Sequence, residues 1–478
     1  MAVSKAAPEG LLRVCSALLA LALLASWAGG QPPAADLVVS GGIVVTMDAS
    51  RRVLEPGAVA IRGTDIVAVG EVADVRSRFP DARTIDARRT IVLPGLINTH
   101  THAPMVLYRG LADDLPLMEW LQQYIFPAEA RTVSPSFVRA GTRLAVLEMI
   151  RSGTTTFTDM YYFEEEIAAA AREAGLRAVL GQTIIGVPAP DARTPRQALD
   201  RAEAFIQAFK DDPLIVPAVA PHSIYLLERE DLLASRELAA KYGVPLLIHL
   251  AETEAEIETV RKRHGTTPVA YLDGMGFWSR PTLAAHGIWM TEADVSTLAT
   301  HHVGVSHNPE SNMKLASGVA PVPDYLAAGV PLGLGTDGAA SNNDLDMFDA
   351  MRQTALLHKL TSGDPGAVPA RVVLEMATIG GARALGLDRL VGTLEPGKRA
   401  DLIIVDAGHP RLTPMYNAVS HLVYAARGDD VVTMIVNGRV LMEGRRVQSI
   451  DEAQVLAEAV TIAESVRRAV RTRAARAF

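Results

Sequence analysis

Between residues 91 and 338 the chain repeats one pattern. An aliphatic, β-branched run is followed by a longer stretch in which apolar residues recur every three or four positions. Eight runs follow one another: IVLPGLINTHTH (91–102), TTTFTDM (154–160), RAVLGQTII (177–185), LIVPAVAPH (214–222), VPLLIHLAE (244–252), TLAAHGIWM (282–290), VGVSHNP (303–309) and VPLGLGTDG (330–338). Runs that stay apolar without in–out alternation are expected of parallel strands covered on both faces. The stretches between them, such as EEEIAAAAREAG (164–175) and REDLLASRELAAKYG (229–243), have the period of amphipathic helices. Eight such strand–helix units predict an α/β chain folded as a (β/α)8, or TIM, barrel. A doubly wound open sheet would need a glycine-rich phosphate turn after its first strand, and none is present.

The flanks have a different texture. Residues 36–93 and 391–448 are short Val- and Ile-rich runs broken by Gly or Asp, which read as strands joined by tight turns. The Asn437-Gly438 pair between MIV and RVLM is a hairpin signal. The expected organisation is therefore a barrel over 94–390, one small β-sandwich built from both flanks (36–93 and 391–448), and a terminal helix over 449–478. At the start, Lys5 and Arg13 precede the apolar run SALLALALLASWA (16–28), with Ser26 and Ala28 placed for a cut before Gly29. That run has the length of a signal-peptide core and is short for a membrane span. Residues 1–30 are thus expected to be a signal peptide. Export to the periplasm or medium follows, with no membrane insertion after cleavage; without cleavage the protein is expected in the cytoplasm.

Composition narrows the partners. Hydrophobic residues make up 49% and charged residues 21% of 478, a folded rather than a disordered balance. With 46 basic and 54 acidic side chains the net charge is −8, which argues against nucleic acid. The C-terminal cluster Arg467, Arg468, Arg471, Arg473 and Arg476 reads as a solvated helix face. The single cysteine, Cys15, rules out an intrachain disulfide and lies within the segment expected to be removed.

The candidate chemistry sits at the strand ends. Alternate residues of a strand share a face, so His100 and His102 both point toward the barrel axis. The fifth run ends in His249-Leu250-Ala251-Glu252, the sixth carries His286, and the eighth ends in Thr336-Asp337-Gly338. Taken alone, a His-x-His pair is commonly incidental, His286 could be a bonded barrel histidine, and Asp337 a turn residue. In a barrel, however, these ends converge on one mouth. His100, His102, His249 and Asp337 then make an N3O ligand set that suits one divalent ion, zinc first, with iron or manganese also compatible. Glu252 beside that set has the placement of a proton shuttle for a water made acidic by the ion.

PGLINTHTHAPMVLYRGLADDLPLMEWL (94–121), APHSIY (220–225), HLAET (249–253), AHG (285–287), SHNPESNMKL (306–315) and LGTDGAASNNDLDMF (334–348) together resemble the methylthioadenosine/S-adenosylhomocysteine deaminases of the amidohydrolase superfamily, whose relatives include triazine chlorohydrolases. The resemblance covers about residues 36–450. It implies that His100, His102, His249 and Asp337 bind the metal, and that Glu252 carries the proton. It further implies that His286 contacts the attacking oxygen, His222 the purine, and Glu129 the ribose hydroxyls. Trp120, in the loop after the first strand, is placed to stack on a ring or simply to pack. One departure is Gln182, which stands where the resemblance leads us to expect an arginine for a substrate carboxylate. A homodimer is a further implication.

The expected reaction is hydrolytic deamination of an aminated purine nucleoside or related N-heterocycle, in which water activated at the metal attacks the amino-bearing ring carbon and ammonia leaves. Displacement on a triazine-like ring, as by a chlorohydrolase, is the first alternative. A two-metal cyclic-amide hydrolase is disfavoured because the fourth run offers His222 and no lysine. A non-catalytic exported binding protein that keeps its metal for structure is the remaining one; the presence of Glu252 and His286 weighs against it.

Overall fold

The computed structural model describes residues 1–2, 35–278 and 281–474. The signal-peptide reading falls almost wholly on residues outside this set. Among the described residues no helix is long and apolar enough to cross a membrane.

All eight expected strands form, and they close into a parallel barrel. In order they are Leu96–Thr101, Thr154–Tyr161, Arg177–Ile184, Ile215–Pro221, Leu246–Leu250, Thr282–His286, Gly304–His307 and Leu332–Leu334. The last closes on the first through Leu334 opposite Asn98. The two helices singled out above span Glu164–Ala174 and Arg229–Tyr242, each ended by a glycine in the left-handed region, Gly175 and Gly243.

The run 91–102 is two strands rather than one. Thr90–Pro94 belongs to the flanking sheet and Leu96–Thr101 to the barrel. Gly95 sits at the break, where its N–H donates to the Asp401 carbonyl at 3.0 Å. A Cβ there would lie 2.0 Å from Thr155 Oγ1, so only glycine lets the chain pass this close to the second barrel strand.

The flanking strands form one mixed sheet of nine, and the two ends of the chain are stitched along Thr90–Pro94 and Leu402–Asp406, which pair antiparallel. Leu37, Val39, Val59, Ile61, Leu402 and Ile404 meet in its own apolar core, separate from that of the barrel. The predicted hairpin is present, with Asn437 at φ 50° and Gly438 at φ 76°, the double left-handed turn this dipeptide favours. A buried ion pair, Arg177 Nε to Asp401 Oδ2 at 2.9 Å, ties the third barrel strand to this sheet. The terminal helix, Glu452–Ala474, starts where Asp451 caps the Gln454 N–H at 3.0 Å.

Candidate active site

Each metal-ligand candidate lies on or just past a barrel strand end, and the closed barrel brings them to one mouth. His100 is inside the first strand and His102 just beyond it; His249 is in the fifth strand; His286 ends the sixth; Asp337 follows the eighth. Asp337 and His286 adopt φ of 63° and 73°, and Ala251, between His249 and Glu252, adopts 51°. Left-handed backbone is costly for non-glycine residues and persists where surroundings force it. Here it marks the ends of the fifth, sixth and eighth barrel strands.

The spacing answers the question of whether an ion fits. His102 Nε2 is 3.3 Å from His249 Nε2. Asp337 Oδ1 is 3.4 Å from the Nε2 atoms of both His100 and His102. A tetrahedral ion with ligands at about 2.0–2.1 Å spaces those ligands at about 3.3–3.4 Å from one another. The Nδ1 atoms of His102 and His249 are engaged by backbone carbonyls, Met160 at 2.8 Å and His222 at 2.9 Å. Carbonyls only accept, so both rings are protonated on Nδ1 and turn bare Nε2 lone pairs toward each other, which a cation between them reconciles. His100 Nε2 is buried without a hydrogen-bond partner. Burial pushes His100 down to about 4 and His249 well below the usual imidazole range, so these two rings are neutral ligands at pH 7. Burial opposes ionisation of Asp337, yet the imidazoles of His100, His102 and His286 hold it well below the ordinary carboxylate range. Ser311 Oγ donates to its Oδ2 at 2.7 Å and the Gly338 N–H to its Oδ1 at 2.7 Å.

His286 stands slightly apart. Its Nε2 is 3.8 Å from Glu252 Oε2 and 4.0 Å from Asp337 Oδ2. It faces the gap between the two carboxylates, where an attacking oxygen would lie. Asn312 Oδ1 contacts its Nδ1 at 2.9 Å. Burial lowers the His286 ring, but the Glu252 and Asp337 charges outweigh it and the net shift is upward. Glu252 is itself raised by burial, and its backbone N–H is held at 3.0 Å by the buried Glu256 carboxylate, which also takes the Ala251 N–H at 3.0 Å. A carboxyl with a raised pKa beside an acidic water is suited to accept and return a proton.

A cleft opens above these groups, with about 600 Å³ of space inside it when the part open to solvent is counted. His222, Trp120 and Glu129 line it, with Leu117, Leu121 and Leu315. Trp120 is not in a loop as expected. It begins a π-helical turn, Trp120–Ile125, whose wide register buries both Trp120 and Ile125 and leaves Tyr124 40% exposed. Gln182 is a correction. It does not line the cleft; its amide donates to Asp191 Oδ2 at 2.9 Å, and the adjacent Thr183 takes the inward position. The side-chain alternation of the third strand decides this.

Several groups escape the sequence reading. Ser311 and Asn312 lie inside the quoted SHNPESNMKL motif, but nothing in the sequence shows which strand end they support. Tyr161 donates its hydroxyl to Glu129 Oε1 at 2.6 Å. Asp159, two residues earlier, contacts both neighbours of His102. The signal available was a carboxylate in an otherwise uncharged strand, TTTFTDM.

A model of the amidohydrolase family matches residues 91–441. The chain is 50% identical over 422 residues to the 5-methylthioadenosine/S-adenosylhomocysteine deaminase of Syntrophobacter fumaroxidans, covering 88% of this chain and 96% of that one. Among solved structures it is similar to an adenosine deaminase from Xanthomonas campestris with bound zinc, at 40% identity and TM-score 0.90 over 91% of this chain and 100% of that one. It is also similar to an atrazine chlorohydrolase from Arthrobacter aurescens complexed with zinc, at 26% identity and TM-score 0.83 over 89% of this chain and 100% of that one.

Proposed function

The chain belongs to the amidohydrolase family, and from that premise we propose that it is a zinc-dependent deaminase of purine nucleosides, replacing the exocyclic amino group by oxygen and releasing ammonia. The carrying observation is the coincidence at the mouth: His102 lies 3.3 Å from His249, Asp337 lies 3.4 Å from both His100 and His102, and Glu252 and His286 face each other across 3.8 Å beside them. A purely structural ion would need neither of the last two.

His100, His102, His249 and Asp337 would hold a divalent cation, which would supply the Lewis acidity that brings the pKa of water from about 15.7 toward 7. Glu252 takes the proton and delivers it to the ring nitrogen next to the amino-bearing carbon. His286 and Asp337 aim the attacking oxygen. The second proton, taken from the added hydroxyl by Glu252, then passes to the amino group, so that the C–N bond breaks, ammonia departs and a carbonyl remains. His222 faces the purine, and Glu129 accepts from the ribose hydroxyls, oriented by the Tyr161 hydroxyl.

Beyond Glu129 the cleft is walled by Leu117, Trp120, Leu121, Ile125, Phe126 and Leu315, and among the described residues no Lys or Arg lines it. A tail ending in a carboxylate would be stripped of water there without a cationic partner. Methylthioadenosine is therefore expected to be deaminated with a kcat/KM at least about tenfold above that of S-adenosylhomocysteine, equivalent to about 1.4 kcal/mol. Ammonia release across adenosine, methylthioadenosine, S-adenosylhomocysteine, guanine, an aminotriazine and a chlorotriazine tests the reading. Failure of every purine nucleoside to release ammonia would sink it, and chloride release alone would favour ring dechlorination.

The Glu129 role carries a pH signature. Burial raises its carboxyl to about 7, with the Tyr161 hydrogen bond opposing. The ionised form accepts ribose hydroxyls, so binding is full above pH 7 and weakens as pH falls through it. The KM for a nucleoside is expected to rise by about tenfold per pH unit below 7, a dependence missing in Glu129→Gln. A KM profile shared by both enzymes would remove Glu129 from this role. Stability runs the other way: the folded state retains a proton that the unfolded chain releases near 4.5, so this contribution is lost as pH rises from 4.5 through 7.

A further inference from the structure

We propose that Asp159 is a positioning residue of the metal centre, clamping His102 through both of its chain neighbours and placing a buried negative charge beside the cation. Asp159 lies in the second barrel strand, opposite Thr101 in the register, and is fully buried. Its Oδ2 accepts from the Ala103 N–H and shares the single Thr101 hydroxyl proton with the Thr158 carbonyl, each oxygen 2.9 Å from Thr101 Oγ1. The carbonyl of the next residue, Met160, accepts from His102 Nδ1 at 2.8 Å. Two consecutive residues of one strand thus meet donors from three consecutive residues at and just past the end of its neighbour, and the middle one is His102.

Strand pairing alone does not need this carboxylate. Backbone bonds already join the two strands, and a buried acid is an expensive way to add one more. Asp159 Oδ1 has no hydrogen-bond partner, and no Lys or Arg pairs with the group among the described residues. Its charge is left unpaired beside His102, where a divalent ion and Asp337 together would still carry a net positive charge. A carboxylate one residue layer behind the imidazoles offsets that charge. The contacts also fix the angle at which His102 leaves the strand, just where the chain turns into the helix Ala103–Tyr108.

Asp159→Asn keeps an acceptor for both donors but removes the charge, Asp159→Ala removes both, and Thr101→Val removes one donor and spares the charge. The readout is the zinc dissociation constant, measured by competition with a chromophoric chelator, together with the visible absorption of the cobalt-substituted protein. Both Asp159 variants are expected to bind zinc about 10–100-fold more weakly, with Thr101→Val between them and the parent, and to shift the cobalt bands. If Asp159→Ala does not fold, Asp159→Asn decides alone. Zinc affinity and cobalt bands unchanged in the variants, even with a lowered melting temperature, would overturn the proposal and leave Asp159 a packing residue. The proposal rests on the metal centre described above. A parent protein that binds no zinc would overturn that centre and this role together, whereas a zinc-binding parent with unaffected variants overturns this role alone.

Discussion

Glu252→Gln is expected to keep its metal and its fold and to lose about 10²–10⁴-fold in kcat, the usual span for general acid–base help. The substitution preserves shape and hydrogen-bonding reach but cannot accept a proton. Glu252 is buried, its backbone is pinned by Glu256, and its carboxylate faces His286 at 3.8 Å, so a glutamine has little freedom to move. Because Glu252 is not among the four candidate ligands, metal content by elemental analysis should match the parent. Loss in kcat with little change in KM would place the defect in the chemical step. Near-parental ammonia release from a metal-replete Glu252→Gln enzyme would remove this residue from the mechanism.

The second large effect is loss of the ion. Stripping with a chelator, or His249→Ala, is expected to lower turnover by on the order of 10³-fold or more. A Lewis-acidic cation contributes several kcal/mol to the transition state, and each factor of ten is about 1.4 kcal/mol. His249 is chosen because its Nε2 lies 3.3 Å from that of His102 and its ring is held by the His222 carbonyl at Nδ1. Adding zinc back should restore the stripped parent but not His249→Ala. Iron(II) and manganese(II) in the same assay rank the alternatives, since the ligand set is tolerant. Full activity in demonstrably metal-free protein would contradict the assignment of all four ligands.

Much of this was legible beforehand because a barrel imposes a simple rule on its sequence: strand ends share a rim. His100, His102, His249, His286 and Asp337 could be grouped from five positions scattered over more than 230 residues, since each followed an apolar run at the same phase of the repeat. The Asn437-Gly438 turn was legible for a local reason, as backbone dihedrals alone select those residues.

What resisted reading was anything set by orientation or by a partner distant in the chain. Gln182 and Thr183 are adjacent letters, yet the strand sends one to Asp191 and the other into the cleft. Trp120 reached the cleft through a π-helical turn that no simple period reveals. The second barrel strand also hid its roles: Tyr161 orients Glu129, and Asp159 holds the segment around His102. By itself, then, the sequence determined the barrel, the joint β-sheet of the two ends and the chemical types delivered to the rim, because periodicity and local backbone preference are properties of the chain. The tertiary structure alone decided which nitrogen faces the ion, which carboxylates lose their water and which neighbours hold each ligand still, because hydrogen bonds and burial exist only once distant strands are side by side.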